Sequence, residues 1–438
     1  MLRDPSRGRV ARSGARRPVR RALWHTYRVR DRLKSLAALG RGLGLLLLLV
    51  SAVVFVDTVF FTAITPLLPH YVHELRLSKF GAGLLVAACP IGALFGAMPG
   101  GLFASRVGVR PAVVTGLTLM SAATLVFGFA SSVDLLDLAR FVQGVAGACT
   151  WAGGLAWLTS AAPVDRRAAV LGVAFAAAVG GALFGPVVGV VASRVGTGPT
   201  FAGATVAGVC LILASLVVHV QSGNESQSLH SALLALRDPS LAGGMWLTFL
   251  AGLAFGVVDV LVPLRLSSLG ASAVVIGAVF LGAAAVEAAL APVVGTVADH
   301  RGRALPVRVF VSASVVVTLL LPFLVPVGLL VAVLVVGLPA FGLLFVPATA
   351  MISDGAQRQQ LHQGLGFGLS NFAWAGGQAI AAAASGALAQ AATDTLPYAL
   401  LAGAFATTLL MLHPIGRRFI ARLGLTAPGM MPRSQRRS

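Results

Sequence analysis

Four ionisable side chains stand inside strongly apolar stretches of the chain: Asp57, Arg140, Asp259 and Glu287. A charge at the centre of a lipid-spanning helix costs about 3 kcal/mol or more unless it meets a partner or water, so such residues are read first as working groups. Asp57 lies in Val56-Asp57-Thr58 and precedes Thr62, Thr65, Pro66 and Pro69. A carboxylate there offers one negative site for which a proton and a cationic solute compete. A nearby cation tunes that competition, and Arg140 is the candidate for it. Gln143 follows Arg140 by one helical turn, and Arg140, Gln143, Gly144, Gly147, Trp151 and Gly154 fall on one helix face. Simpler roles stay open: Arg140 snorkels outward or neutralises Asp134 or Asp137, Asp259 pairs with Arg265, and Glu287 hydrogen-bonds a neighbouring helix.

The elements that must hold these groups are apolar helices. Of 438 residues, 57% are apolar and 11% charged, and the mean hydropathy is +0.89. Soluble domains carry about 25% charged residues, so a water-soluble globule is excluded. A bilayer crossing takes about 20 apolar residues. Twelve such spans are predicted near 44–71, 80–104, 110–130, 135–161, 168–193, 199–219, 241–265, 273–298, 305–324, 328–351, 363–390 and 396–413. The fold class is therefore all-α integral membrane, with twelve transmembrane helices in two pseudo-symmetric six-helix bundles. The bundles are 44–219 and 241–413, joined by a polar linker over 220–240 and flanked by basic tails at 1–43 and 414–438. An offset of 194 residues supports duplication. It aligns Pro69 with Pro263, Gly83 with Gly277, Gly101 with Gly295 and Gly108 with Gly302 in one gapless register.

The net charge of +19 looks like a nucleic-acid signal until its distribution is read. Of 33 basic residues, 28 fall in the tails and alternate loops of a twelve-span chain whose termini are both cytoplasmic. That makes the charge a topology signal and argues against nucleic-acid binding; the tails suit anionic lipid. Cys89, Cys149 and Cys210 lie in apolar stretches without pairing or metal-ligand spacing and are read as core residues. No nucleophile motif, metal cluster or phosphate-binding loop is present, so neither an enzyme nor a cofactor or metal is expected.

Four segments resemble the major facilitator superfamily, particularly its twelve-helix drug:proton antiporter branch, over residues 44 to 413. Gly101-Leu-Phe-Ala-Ser105-Arg106-Val-Gly108-Val-Arg110 is similar to the family's G-x-L-A-D-R-x-G-R-K loop, with Ser105 where the family has Asp. Gly295-Thr-Val-Ala-Asp299-His-Arg301-Gly302-Arg303 is similar to its second copy. Arg106, Arg110, Asp299 and Arg303 would form part of a latch between helix ends on the cytoplasmic side. Gly172, Gly181, Gly185, Pro186 and Gly189 resemble the antiporter motif of the family's exporters, with Val190 in place of its last Gly. Generic small-residue packing is the alternative. Arg140-Phe-Val-Gln143-Gly144 resembles the family's R-x-x-Q-G pattern in span four, and the Asp57 segment resembles the first helix of amine and multidrug antiporters.

The resemblance implies a monomeric transporter of the cell (inner or plasma) membrane exchanging protons for lipophilic or cationic small molecules. Asp57, Arg140, Gln143, Asp259 and Glu287 are its candidate proton and substrate site. Import of a metabolite and a transporter-like sensor or scaffold are the other readings. Phe60, Phe61, Trp151, Trp157, Phe341, Phe345, Asn371, Trp374 and Gln378 are the candidate aromatic and amide lining of the cavity.

Overall fold

A computed structural model describes residues 41–163, 166–218, 234–361 and 363–412. Most of the two basic tails and of the linker at 220–240 therefore lies outside the described residues, which form only helices and short connections. Span one runs over Arg41–Thr62, a 3-10 turn at Thr65–Leu67 and Leu68–Glu74; spans two to six are Lys79–Arg106, Val109–Phe129, Val133–Ala161, Arg167–Val195 and Thr197–Val217. Spans seven to nine are Pro239–Ser268, Ala273–Arg301 and Ala304–Leu320. Span ten is broken into Val327–Gly337, Pro339–Gly342 and Phe345–Arg358; spans eleven and twelve are Gln363–Ala391 and Thr395–Leu412. Ten of these units are long and apolar enough to cross a bilayer. The remaining two, spans four and eleven, carry Arg140, Gln143, Asn371 and Gln378; of these Arg140, Gln143 and Gln378 are buried and Asn371 is exposed.

Breaks in spans one and ten follow from proline. Pro66 and Pro339 have no backbone N–H and cannot continue an α-helical ladder, and each opens a short new turn. Elsewhere small residues set the packing. Spans two and four approach backbone to backbone, Gly92 against the Phe141 carbonyl and Gly144 against the Cys89 carbonyl. In span five, Gly181 lies on the Phe55 carbonyl, Gly185 on Thr62 and Gly189 on the Ala63 carbonyl, one seam along span one. Apolar contact gains little over lipid, so this close approach is what holds such helices together.

The chief pairings within the first six spans are one with five, two with four, and three with four and six. In the last six they are seven with ten and eleven, and nine with twelve. The two largest pairings between the halves are two with eleven and five with eight, and smaller ones join span seven to spans one and two and span eleven to span four. The 194-residue repeat is visible in the geometry. Ser78 and Ser272 each cap a helix, accepting from Gly81 N at 3.1 Å and Val275 N at 3.5 Å. Gly83 lies on Gly386, whose Cα stands 3.1 Å from where a Cβ at Gly83 would be, and Gly277 lies on Val190 and the Pro186 carbonyl. Gly108 and Gly302 each turn the chain at positive φ, +119° and +82°, a conformation that glycine adopts without steric cost.

The two ends of the bundle differ. The end holding the basic loops near Arg106, Arg166 and Arg303 is called the basic face, and the other the far face. At the far face contacts cross between the halves: Lys79 pairs with Asp394, and Phe80 N donates to Gln390 Oε1 at 3.0 Å. At the basic face the ion pairs among described residues stay within the second half: Arg303 with Asp354 at 2.6 Å and Arg358 with Asp238 at 2.9 Å. Among the described residues, the polar contacts that cross between the halves thus lie at the far face, beside a hollow of about 800 Å³ between residues 69–76 and 264–268.

Two expectations follow. Gly185→Val must displace Thr62 and costs about 1–3 kcal/mol of overpacking, whereas the Cβ of Gly172→Ala meets nothing within 4 Å; thermal melts in detergent should show a drop for the first and none for the second. Asp238 caps span seven through Ser240 N and Leu241 N at 2.9 and 3.1 Å, and its hydrogen bond from Arg358 is the main cause of its carboxyl falling from 3.8 to about 2. A depressed acid stabilises the fold above its unfolded pKa and loses that contribution as pH falls from about 4 to about 2. Asp238→Ala should cost about 0.5–2 kcal/mol of stability for the cap alone, seen as a lower melting temperature at neutral pH, and remove that acid-dependent part. Unchanged melts would contradict the assignment.

Candidate functional site

Asp57 sits near the middle of span one, where its Oδ2 accepts the indole N–H of Trp151 in span four at 2.7 Å. Its other oxygen, Oδ1, is buried without a partner. Oδ1 points at Gly147, where an added Cβ would come within 2.9 Å. The carboxylate thus has one tethered oxygen and one without a partner, on a side chain that is mostly buried.

Arg140 is turned inward, 2% exposed. It donates to the carbonyls of Phe60 at 3.2 Å and Phe61 at 3.3 Å and to Gln143 Oε1 at 3.1 Å. Phe60 and Phe61 lie in the last turn of Arg41–Thr62, so the guanidinium caps the negative end of that helix. Its Cζ also stands 5.8 Å from the centre of the Phe61 ring. Gln143 Nε2 continues the chain of hydrogen bonds to Thr124 Oγ1 at 3.1 Å. Arg140 therefore does not snorkel outward, and no ion pair joins it to Asp134 or Asp137 among the described residues; Asp137 Oδ1 is itself buried without a partner.

Across the interface, Asp259 Oδ2 accepts from Gln378 Nε2 at 3.1 Å, and Gln378 is fully buried. Phe61 meets Trp374 of span eleven edge-on, ring centres 5.1 Å apart. These contacts bring Phe61, Arg140 and Trp374 together at the meeting of the two halves, with Asp57 and Asp259 on flanking helices. Arg265 instead lines a small hollow at the far face with Asp394 and Tyr398. Glu287 is placed apart: its carboxylate lies on Gly342, at the break in span ten.

The other motif residues fall into three groups. Gly181, Gly185 and Gly189 form the seam on span one, and the Pro186 carbonyl touches Gly277 of span eight, whereas Gly172 is exposed. In the first loop, Arg110 donates to the Ser215 carbonyl at 2.9 Å and to that of Leu216, closing the end of span six; Arg106 is exposed and Ser105 Oγ turns back to its own helix at the Leu102 carbonyl, 2.9 Å away. In the second loop Arg303 is paired with Asp354, Asp299 is exposed, and Gly101 and Gly295 have no contact closer than 3.9 Å where a Cβ would stand. Among the cavity aromatics, Phe60, Trp157 and Phe341 are core residues, Phe341 stacking on Phe405 at 5.8 Å. Cys89 and Cys149 are buried as expected, but Cys210 is exposed on the outer side of span six.

Sequence reasoning missed the partners: the Trp151 tether, the Phe60 and Phe61 carbonyls and the Lys79–Asp394 pair. These are separated by 94, 79–80 and 315 residues, and no local spacing signals them.

With this geometry in view, the chain was compared with known proteins. It is 28% identical over 182 residues to the MFS-type transporter ppzB of Metarhizium majus (strain ARSEF 297), covering 40% of each chain. It is 29% identical over 126 residues to Multidrug resistance protein 1 of Bacillus subtilis (strain 168), 29% of this chain and 32% of that one. The matched segment thus spans well under half the length of these relatives. In fold it is similar to the nucleoside transporter NupG, with a TM-score of 0.68 at 13% identity, covering 84% of this chain and 98% of that one. The sequence model of the Major Facilitator Superfamily matches residues 50–382. A multi-pass helical membrane protein with this match belongs to the Major Facilitator Superfamily, a family of transporters.

Proposed function

We propose that the protein is a proton-coupled secondary transporter that exports lipophilic or cationic small molecules by alternating access. The observation that carries this reading is Asp57: a mostly buried, mid-span carboxylate with an oxygen that has no hydrogen-bond partner. A proton and a cation can each satisfy that oxygen, but not together, and mutual exclusion at one site is what couples the two fluxes. Asp259 contributes a second acid from the other half, and Glu287 a third on span eight. Arg140 and Gln143 fix the end of the helix that carries Asp57. The multidrug resistance protein among the relatives supports the substrate class.

In this proposal the bundles 44–219 and 241–413 rock about the central acids, exposing them to each side in turn. The cross-half contacts at the far face support reading this as a state that opens toward the basic face, the cytoplasmic side under the positive-inside rule. The protein then works as a monomer in the cell membrane, with both termini inside and the basic tails against anionic lipid. Opening the far face must break the Lys79–Asp394 pair, and closing the basic face must bring its loops, Arg106 and Asp299 among them, toward the opposite half.

The test is purified protein in liposomes with an interior pH dye and ethidium as substrate. Ethidium addition should drive proton movement, and Asp57→Asn should reduce it at least tenfold. Unchanged proton movement in Asp57→Asn overturns the coupling assignment. For direction, cells lacking the protein should retain more ethidium than cells that carry it; less retention overturns export in favour of uptake.

A further inference from the structure

We propose that Trp151 is the positioning residue of the Asp57 site. Its indole N–H fixes which carboxylate oxygen is spoken for, and the absence of a side chain at Gly147 lets the other lie against span four without a partner, as the oxygen that takes the proton or cation. This rests on the reading of Asp57 as the exchanging acid, and it assigns the two oxygens different work. Oδ2 stays tethered at 2.7 Å to Trp151 Nε1. Oδ1, without a partner, packs on Gly147, where a Cβ would stand 2.9 Å from it and 3.4 Å from Oδ2.

The geometry is particular to span four. Gly147 and Trp151 are one helical turn apart and so present to the same point on span one, one supplying space and the other a donor. Trp151 is in turn buttressed by span five, where the Phe175 ring lies 5.8 Å away at 52°. Without the tether the Asp57 side chain is free to rotate and present either oxygen. The consequence is a lower rate of productive exchange from an otherwise intact fold. A hydrogen bond to a charged group is among the stronger ones in proteins, and loss of this one should cost about tenfold in exchange.

Exchange of ethidium for protons in liposomes tests this with Trp151→Phe, which keeps a ring but removes the donor, and Trp151→His. The five-membered ring of His places Nε2 where the indole carries Nε1, so it can restore the donor. The expected result is about a tenfold loss of kcat/KM in Trp151→Phe with an unchanged melting temperature, substantially recovered in Trp151→His. Gly147→Ala, which leaves the donor and obstructs Oδ1, should lose exchange independently and serves if Trp151→Phe fails to fold. Tryptophan emission supplies the readout that packing would not move: part of the emission change on ethidium binding, after correction for dye absorbance, should be lost in Trp151→Phe, and that Trp151-dependent part should vanish in Asp57→Asn. Trp151→Phe exchanging at the wild-type rate, equal loss in Trp151→Phe and Trp151→His, full activity in Gly147→Ala, or a Trp151-dependent emission change that persists in Asp57→Asn each overturns the proposal. If Asp57→Asn itself exchanges normally, the parent reading falls; if it fails while Trp151→Phe exchanges normally, only the assignment to Trp151 falls.

Discussion

A guanidinium held inside a lipid-spanning bundle fixes much of what surrounds it. Arg140 cannot shed its charge and is nearly sealed from solvent, so the chain must supply acceptors for it. It does so by ending a helix: span one stops at Thr62 ahead of Pro66, and the carbonyls of Phe60 and Phe61 turn to the guanidinium. The break that provides them also sets the course of the rest of span one. One constraint thus ties the end of a helix, the orientation of span four and the position of Asp57 a turn earlier.

Around that core the molecule is arranged for movement. Close backbone approach at glycines gives the seams of spans one with five and two with four, and it recurs where the halves meet, at Gly83 on Gly386 and at Gly277 on the Pro186 carbonyl. Smooth helix surfaces separate and re-form without repacking long side chains, and the far-face ion pair adds a polar contact that water can replace. At the basic face the described ion pairs hold helices of one half together, which leaves that face free to open between the halves.

Much of this was legible in the sequence. Apolar length placed the spans, and the 194-residue offset aligned Gly108 with Gly302, which the structure shows as paired positive-φ turns. The acids stood out because a charge in an apolar run needs a reason. What could not be read were contacts made by the tertiary fold: that Arg140 would be satisfied by a helix end, that Trp151 would reach Asp57, and that Glu287 would sit on Gly342 at the break in span ten. Helical periodicity assigns faces, but which face meets which neighbour depends on how twelve helices pack. The aromatic candidates show the limit, since Phe341 and Phe345 share a period but Phe341 is spent on the core while Phe345 is half-exposed.

The central claim is that proton and cation exclude one another at a single carboxylate, and the sign of a gradient tests it most directly. Liposomes with an acidic interior, the membrane potential clamped at zero, are given tetraphenylphosphonium, whose permanent charge prevents it from distributing as a weak base. Exchange at Asp57 predicts accumulation in the acidic compartment, since protons leaving it drive the cation in, and a reversed distribution when the gradient is reversed. Accumulation in the alkaline compartment, or a distribution that ignores the pH gradient, would contradict the account.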